Sequence, residues 1–201
     1  MQFTTFALAA LSIGSAFAAP TAVVRSDPKI LTSAISEVSD AKSAVDSQVA
    51  IINNLVQTTV NDATVPALKA SLKNIAAEIS SVTNFVVPLV TGVVLPLAEE
   101  ELANLPGFVG NVKDIALEIQ VTVSLILARL PSATVSLVKT ELVLVVATVN
   151  PFVTPVTTFA NAAIAGTSGP STDSVRTAVA AIQSILAQIL GPITVALQKI
   201  L

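Results

Sequence analysis

From Asp27 onward, apolar residues recur at helical spacing. Leu31, Ile35, Val38, Val45, Val49, Ile52 and Val56 follow alternating steps of four and three, with Lys42 as the one exception, while Glu37, Asp40, Asp46 and Asn53 fall on the opposite side. That periodicity predicts an amphipathic helix of about eight turns, opened by Asp27 as N-cap and Pro28 in the first turn. Asn61-Asp62-Ala63-Thr64 breaks the pattern, and Thr64 with Pro66 starts a second helix. Its stripe is Leu68, Leu72, Ile75, Ile79, Val82 and Val86, with Lys69, Lys73 and Glu78 facing away.

Beyond Phe85 the text changes. Pro88, Gly92 and Pro96 stand four residues apart, which predicts a kinked or interrupted segment, because an interior proline removes a backbone bond. This segment closes in the acidic run Glu99-Glu100-Glu101, and Leu105-Pro106-Gly107 reads as a turn. Phe108–Leu130 and Ser132–Val149 alternate in part like strands and are rich in β-branched residues. Their apolar positions nevertheless keep helical steps (Val112, Ile115, Ile119, Val123, Ile126; Val135, Val138, Leu142, Val145, Val149). Asn150-Pro151 is expected to end that helix, leaving Phe152–Ala165 as a short element interrupted by proline. A polar linker, Gly166 to Ser171, precedes a last long helix through Val175, Val179, Ile182, Leu186, Ile189, Ile193 and Leu197, notched at Gly191-Pro192. The expected fold is all-α: a bundle of about five or six amphipathic helices, some Pro-kinked, over residues 27–201.

Ahead of the bundle, Met1–Ala18 is an apolar stretch ending in the small-x-small pattern Ala16-Phe17-Ala18. It reads as a secretory signal peptide cut after Ala18, although its first residues hold no Lys or Arg. Residues 19–26 then form a flexible N-terminal segment. The expected location is extracellular or in a cell wall.

Composition narrows the chemistry. The chain contains no Cys, His, Trp or Tyr, so the usual zinc and copper ligands, the thiol nucleophile and the commonest general base are missing. No disulfide supports the fold. Neither a Gly-rich phosphate loop nor a Gly-x-Ser-x-Gly elbow occurs. Glu99-Glu100-Glu101 reads as a solvated helix end, and Asp114 and Glu118, one turn apart beside Lys113, as surface charge. A net charge of −3 without any basic cluster argues against nucleic acid. The expectation is a non-enzyme with no cofactor and no metal.

Hydrophobic residues make up 53% of the chain and charged residues 11%, more apolar and less charged than a globular domain of this size needs. The surplus has three destinations: a bilayer, an internal cavity or an apolar exterior. Ile79–Ala98, Leu142–Thr172 and Thr177–Gln198 are uncharged and long enough to span a membrane. They also carry Ser, Thr, Asn, Pro and Gln, show sided patterns, and lack interfacial Trp or Tyr, so membrane spanning is not expected. Thr167-Ser168-Gly169 followed by an apolar tail has the outline of a glycolipid-anchor signal, but Gln183, Gln188, Gln198 and Lys199 fit a bundle helix better. For the cavity, segments bent at proline would leave slots between helices. The candidate lining is Phe85, Val86, Phe108, Ile126, Phe152, Phe159 and Ile189, where each buried CH₂ of an alkyl ligand would contribute about 0.8 kcal/mol. Phenylalanine at a bend is more often part of a filled core than a ligand contact.

A signal peptide, no cysteine, few aromatics and amphipathic Ala/Ser/Thr/Val helices such as ILTSAISEVSDAKSAVDSQVAIINNLV together resemble the fungal hydrophobic surface-binding protein A family, which includes cell-wall galactomannoproteins. The likeness covers about Asp27 to Leu201 and rests on pattern and composition; this chain is richer in Val, Leu and Pro. The resemblance implies a secreted helical bundle that adsorbs to hydrophobic surfaces, with some members enclosing a fatty acid between helices. The expected function is therefore non-catalytic binding of apolar material, either a fatty acid or lipid tail inside or a hydrophobic surface outside. The alternative is a structural wall or surface-coat protein without a small ligand, with or without a glycolipid anchor.

Overall fold

The computed structural model describes residues 30–57 and 64–199. The expected signal peptide, the 19–26 segment, the Asp27-Pro28 cap and the break at Asn61–Ala63 lie outside the described residues. Five long helices carry the fold: α1 (Ile30–Gln57), α2 (Val65–Gly92), α3 (Glu99–Arg129), α4 (Ser132–Ala163) and α5 (Pro170–Gln188). After α5 the rod continues through a π turn (Ile189–Ile193) into the short α6 (Thr194–Lys199). The described residues contain no strand. The partly strand-like patterns of α3 and α4 resolve as helix because their helical stripes face a common core.

The interruption expected between Pro88 and Pro96 falls at residues 93–98, outside any helix, but four prolines within helices do not break them. α2 runs through Pro88, α3 through Pro106, and α4 through Pro151 and Pro155. An interior proline leaves one backbone carbonyl without its N–H donor, a cost that falls when that face is open to water. Pro88 and Pro151 are exposed, and Pro106 and Pro155 half-exposed. The residues beside them are drawn inward: Phe108 and Val109 after Pro106, and Phe152, Val153 and Val156 around the other pair, all fully buried. Core burial on one face carries each helix on past a proline on the other.

Three sequence expectations are corrected here. Leu105-Pro106-Gly107 is no turn, because α3 already begins at Glu99. The acidic run that was expected to close the preceding segment instead opens this helix, where negative charge meets the positive end of the helix dipole; the Ala98 N–H also donates to Glu101 Oε2 at 3.3 Å. Likewise Asn150-Pro151 does not end α4, which continues to Ala163. The notch at Gly191-Pro192 is real and takes the form of the π turn, whose wider loop receives the proline while Thr194 Oγ1 donates to the Ile189 carbonyl at 2.9 Å.

Polar contacts between helices set the directions. Asn74 of α2 reaches Gln48 of α1, one about ten residues after the start of its helix and the other about ten before the end of its own, so these helices are antiparallel. Lys73 of α2 pairs with Glu141 of α4, each about nine residues into its helix, and Gln120 of α3 bonds Gln188 of α5. Thus α1, α3 and α5 run one way and α2 and α4 the other. In section, α1 packs against α2 and α3, α2 against α4, and α5 against α3 and the flank of α4. Because α2 and α3 scarcely touch, residues 93–98 cross the end of the bundle diagonally. One continuous aliphatic core fills the centre, built from Leu31, Val38, Val45 and Ile52 on α1 and their counterparts on the other helices. Ala41 takes the core position that the Lys42 exception left open.

Candidate functional site

Six of the seven candidate lining residues belong to that core. Phe108, Phe152, Val86, Ile126 and Ile189 are fully buried and Phe159 nearly so. Phe85 is not among them: it projects from the opposite side of α2 and is 43% exposed. The helix directions also divide the six. Val86, Phe108, Phe152 and Phe159 share the end of the bundle where α2 and α4 finish and α3 begins, whereas Ile126 and Ile189 lie near the other end. From Phe108 to Ile126 the axial separation is about 27 Å at 1.5 Å per residue. They form parts of one core rather than one pocket.

A hollow of about 290 Å³ opens between α1 and α2, lined by Ala44, Ser47, Gln48, Asn74, Ile75, Ala77 and Glu78. None of the seven candidates lines it. Its walls suit water better than an alkyl chain, since Ser47, Gln48, Asn74 and Glu78 are polar and Asn74 already bonds Gln48.

The exterior is where the surplus appears. Ile51, Phe85, Val94, Leu95, Leu117, Val121, Leu137, Val143, Leu144, Leu190 and Val195 are all large, apolar and exposed. Phe85, Val94 and Leu95 crown the end where residues 93–98 cross over, beside the exposed Pro88 and Pro96. The other eight lie toward the opposite half. On α4, Leu137, Val143 and Leu144 share the outer face with Thr140, Ala147, Pro151, Thr154 and Thr158, and no charged residue occurs from Leu142 to the end of the helix. Exposed apolar residues scattered singly are ordinary; a charge-free outer helix face bearing several is not. Sequence pattern missed these side chains because they fall between the core stripes. The signal that could have found them was the charge-free run read together with the number of helix faces a core can use.

Three helical stretches, Val65–Gly92, Ser132–Ala163 and Pro170–Lys199, are long and apolar enough by length and composition to cross a membrane. In the fold each turns its richest stripe to the shared core, and the first also carries Lys69, Lys73 and Glu78.

The polar chemistry concentrates between helices. Across the α1–α3 contact, Lys42 Nζ lies 2.7 Å from Asp46 Oδ2, and the Asp46 carboxyl meets that of Glu118. Burial, the hydrogen bond to Asp46 and the charge of Asp46 push Glu118 up to about 7. Burial would raise Asp46 as well, but the hydrogen bonds from Lys42 and Glu118 outweigh it and hold Asp46 below the usual carboxylate range. The two carboxyls share a proton, a common outcome when carboxylates crowd together. Glu118 is therefore not the ordinary surface charge its spacing from Asp114 suggested. The pair sits in a helix seam and does not line the hollow. Among the described residues no cluster of carboxylates is disposed to hold a metal ion.

No protein-family model, curated protein or solved structure matches this chain.

Proposed function

We propose that this protein is a secreted, non-catalytic binder of apolar material that works through its exterior. The reading joins three expectations from the sequence: export, the absence of His and Cys chemistry, and the resemblance to proteins that adsorb to hydrophobic surfaces. The observation that carries it is the outer face of α4, where Leu137, Val143 and Leu144 stand 46–53% exposed and the helix carries no charge from Leu142 onward. An apolar solid or oil interface covering such side chains would recover about 25 cal/mol for each Å² removed from water. The interior offers less. The six buried candidates already form part of the core and are divided between its two ends, which disfavours a single slot for an enclosed fatty acid.

Adsorption to polystyrene beads and to a hexadecane–water emulsion tests the proposal. Leu137→Asp and Leu144→Asp together are expected to weaken adsorption at least several-fold with unchanged far-UV circular dichroism. Native mass spectrometry of protein exposed to palmitate separates the interior alternative. Retained adsorption in the double variant, or a stoichiometric fatty-acid complex, would overturn the exterior reading. A wild-type protein that ignores both beads and palmitate would leave a structural wall role as the better account.

A further inference from the structure

Among the described residues, four buried side-chain oxygens make no ordinary hydrogen bond: Asp46 Oδ1 and Glu118 Oε2, left with only the proton shared between their carboxyls, and Thr122 Oγ1 and Glu141 Oε2. Their placement is not scattered. Asp46 lies on α1 and faces Glu118 of α3, and Thr122 follows Glu118 by one turn on the same face. Glu141, only 7% exposed, lies on α4 and pairs with Lys73 of α2 at 3.8 Å. All four therefore belong to the α1–α3 and α2–α4 contacts. Those contacts make up the seam between the α1–α2 hairpin and the α3–α4–α5 unit, the two pieces joined by residues 93–98. Within each piece, Gln48–Asn74 and Gln120–Gln188 find amide partners. Poorly satisfied polar groups weaken a contact in water and gain when it opens.

We propose that the bundle opens along this seam on meeting an apolar surface, with residues 93–98 as the hinge, so that the two helical pieces lay their core faces on it. The inference rests on the adsorption reading above and adds how the apolar area is delivered. The hinge lies outside any helix, begins with Val93 in an extended conformation and exposes Val94 and Leu95. It is also the connection between the helices that scarcely touch, so swinging it sacrifices little direct contact between α2 and α3. Parting the pieces costs the aliphatic contacts across the seam, and only an apolar surface can replace them. In water the bundle stays closed.

The Asp46–Glu118 proton sets how readily the seam yields. The groups facing Glu118 are Lys42 and Asp46 from α1 and Asp114 from its own helix. α5 brings the uncharged Gln188 near, with its charges Asp173 and Arg176 paired at 3.3 Å near the helix start. On α4, Glu141 turns to Lys73 on α2, and Lys139 lies one turn before its helix neighbour Val143. On α2, Lys69 and Glu78 flank Lys73 on the outer face. Once Glu118 ionises, two carboxylates oppose each other with Lys42 as the nearby cation, and opening the seam gives both to water.

The chain has no cysteine, so paired spin labels can be placed cleanly on the full mature protein. One pair spans the seam (Ala50→Cys on α1 with Ser124→Cys on α3), and a second stays within the hairpin (Ser47→Cys on α1 with Ala77→Cys on α2). On polystyrene nanobeads, the seam pair is expected to lengthen by more than 10 Å (about one helix diameter) while the hairpin pair keeps its solution distance. Opening is expected to run several-fold faster at pH 8 than at pH 5.5, and Glu118→Gln is expected to abolish that difference. Bead-bound protein with both distances unchanged overturns the opening but leaves adsorption standing. Lengthening of both pairs overturns it too, because it means general unfolding. Failure to bind the beads removes both readings.

Discussion

Replacing Glu118 with Gln isolates one proton in the fold. In the native protein Glu118 titrates at about 7 against an ordinary 4.5. Between those pH values the folded chain keeps a proton that the unfolded chain releases, so stability declines as pH rises through the window. The contribution is fully present below about 4.5 and gone above about 7. A shift of that size corresponds to about 3 kcal/mol at 1.36 kcal/mol per pH unit. Glu118 is only half-buried, however, and solvent screens it. A net loss of about 1 kcal/mol is the expected remainder. Asp46 works in the opposite sense: its stabilising charge is lost as pH falls below the usual carboxylate range, so stability peaks in mildly acidic solution. Urea unfolding at pH 5, 6, 7 and 8 measures the decline, and for a chain this long 1 kcal/mol corresponds to about 2–4 °C in Tm. The Gln variant keeps a donor for Asp46 and should unfold with nearly pH-independent stability over that range. Equal pH dependence in both proteins, or a wild type that gains stability from pH 5 to 8, would refute the shared proton.

Three further outcomes follow from burial. Phe152→Ala empties a fully buried site and should cost about 3–5 kcal/mol, while Phe85→Ala, at an exposed site, should stay within about 0.5 kcal/mol; chemical denaturation compares them directly. Pro151→Ala returns an N–H to the middle of α4 on its exposed face and should stabilise the fold by about 1 kcal/mol, the gain in helix propensity being partly cancelled by a more flexible unfolded chain. A loss would mean that the proline shapes the helix. Glu141→Leu replaces a buried, half-satisfied carboxylate with a side chain suited to the core, and thermal melts should show it neutral or more stable by about 1 kcal/mol.

The helix count and most of the core were legible because periodicity reports directly on which face is buried. Leu68, Leu72, Ile75, Ile79, Val82 and Val86 were placed on one stripe and all are buried. Proline misled because its cost depends on where the freed carbonyl points. Pro88 and Pro151 face water, so α2 and α4 run on past positions that read as breaks. The acid run at Glu99 carried a usable signal, since negative charge favours a helix start over a helix end. The Asp46–Glu118 contact had none: the residues are far apart in the chain and meet only because α3 returns beside α1 rather than beside α2. Phe85 and Val86 show the limit at its narrowest. Adjacent in sequence and equally apolar, they point to opposite sides of α2, one outward and one into the core.

The destination of the surplus apolar residues can be argued from the geometry of five helices. A helix in such a bundle can bury only the stripe it turns inward, and α4 already commits Val135, Val138, Leu142, Val145, Val149, Phe152 and Val156 to it. Leu137, Val143 and Leu144 have no inward place left, so they stand in water. A filled core and a greasy exterior are thus two consequences of one composition, and an internal slot would have required leaving part of that stripe unpacked. The seam adds a second reserve. If the hairpin swings away about residues 93–98, the buried stripes of α1 and α2 become available as further apolar area, and the few polar groups that resist close packing lie along the line of separation. Closed in water and open on oil, the chain keeps its core stripes covered in both settings, and the poorly packed carboxylates Asp46, Glu118 and Glu141 lie along the line where it parts.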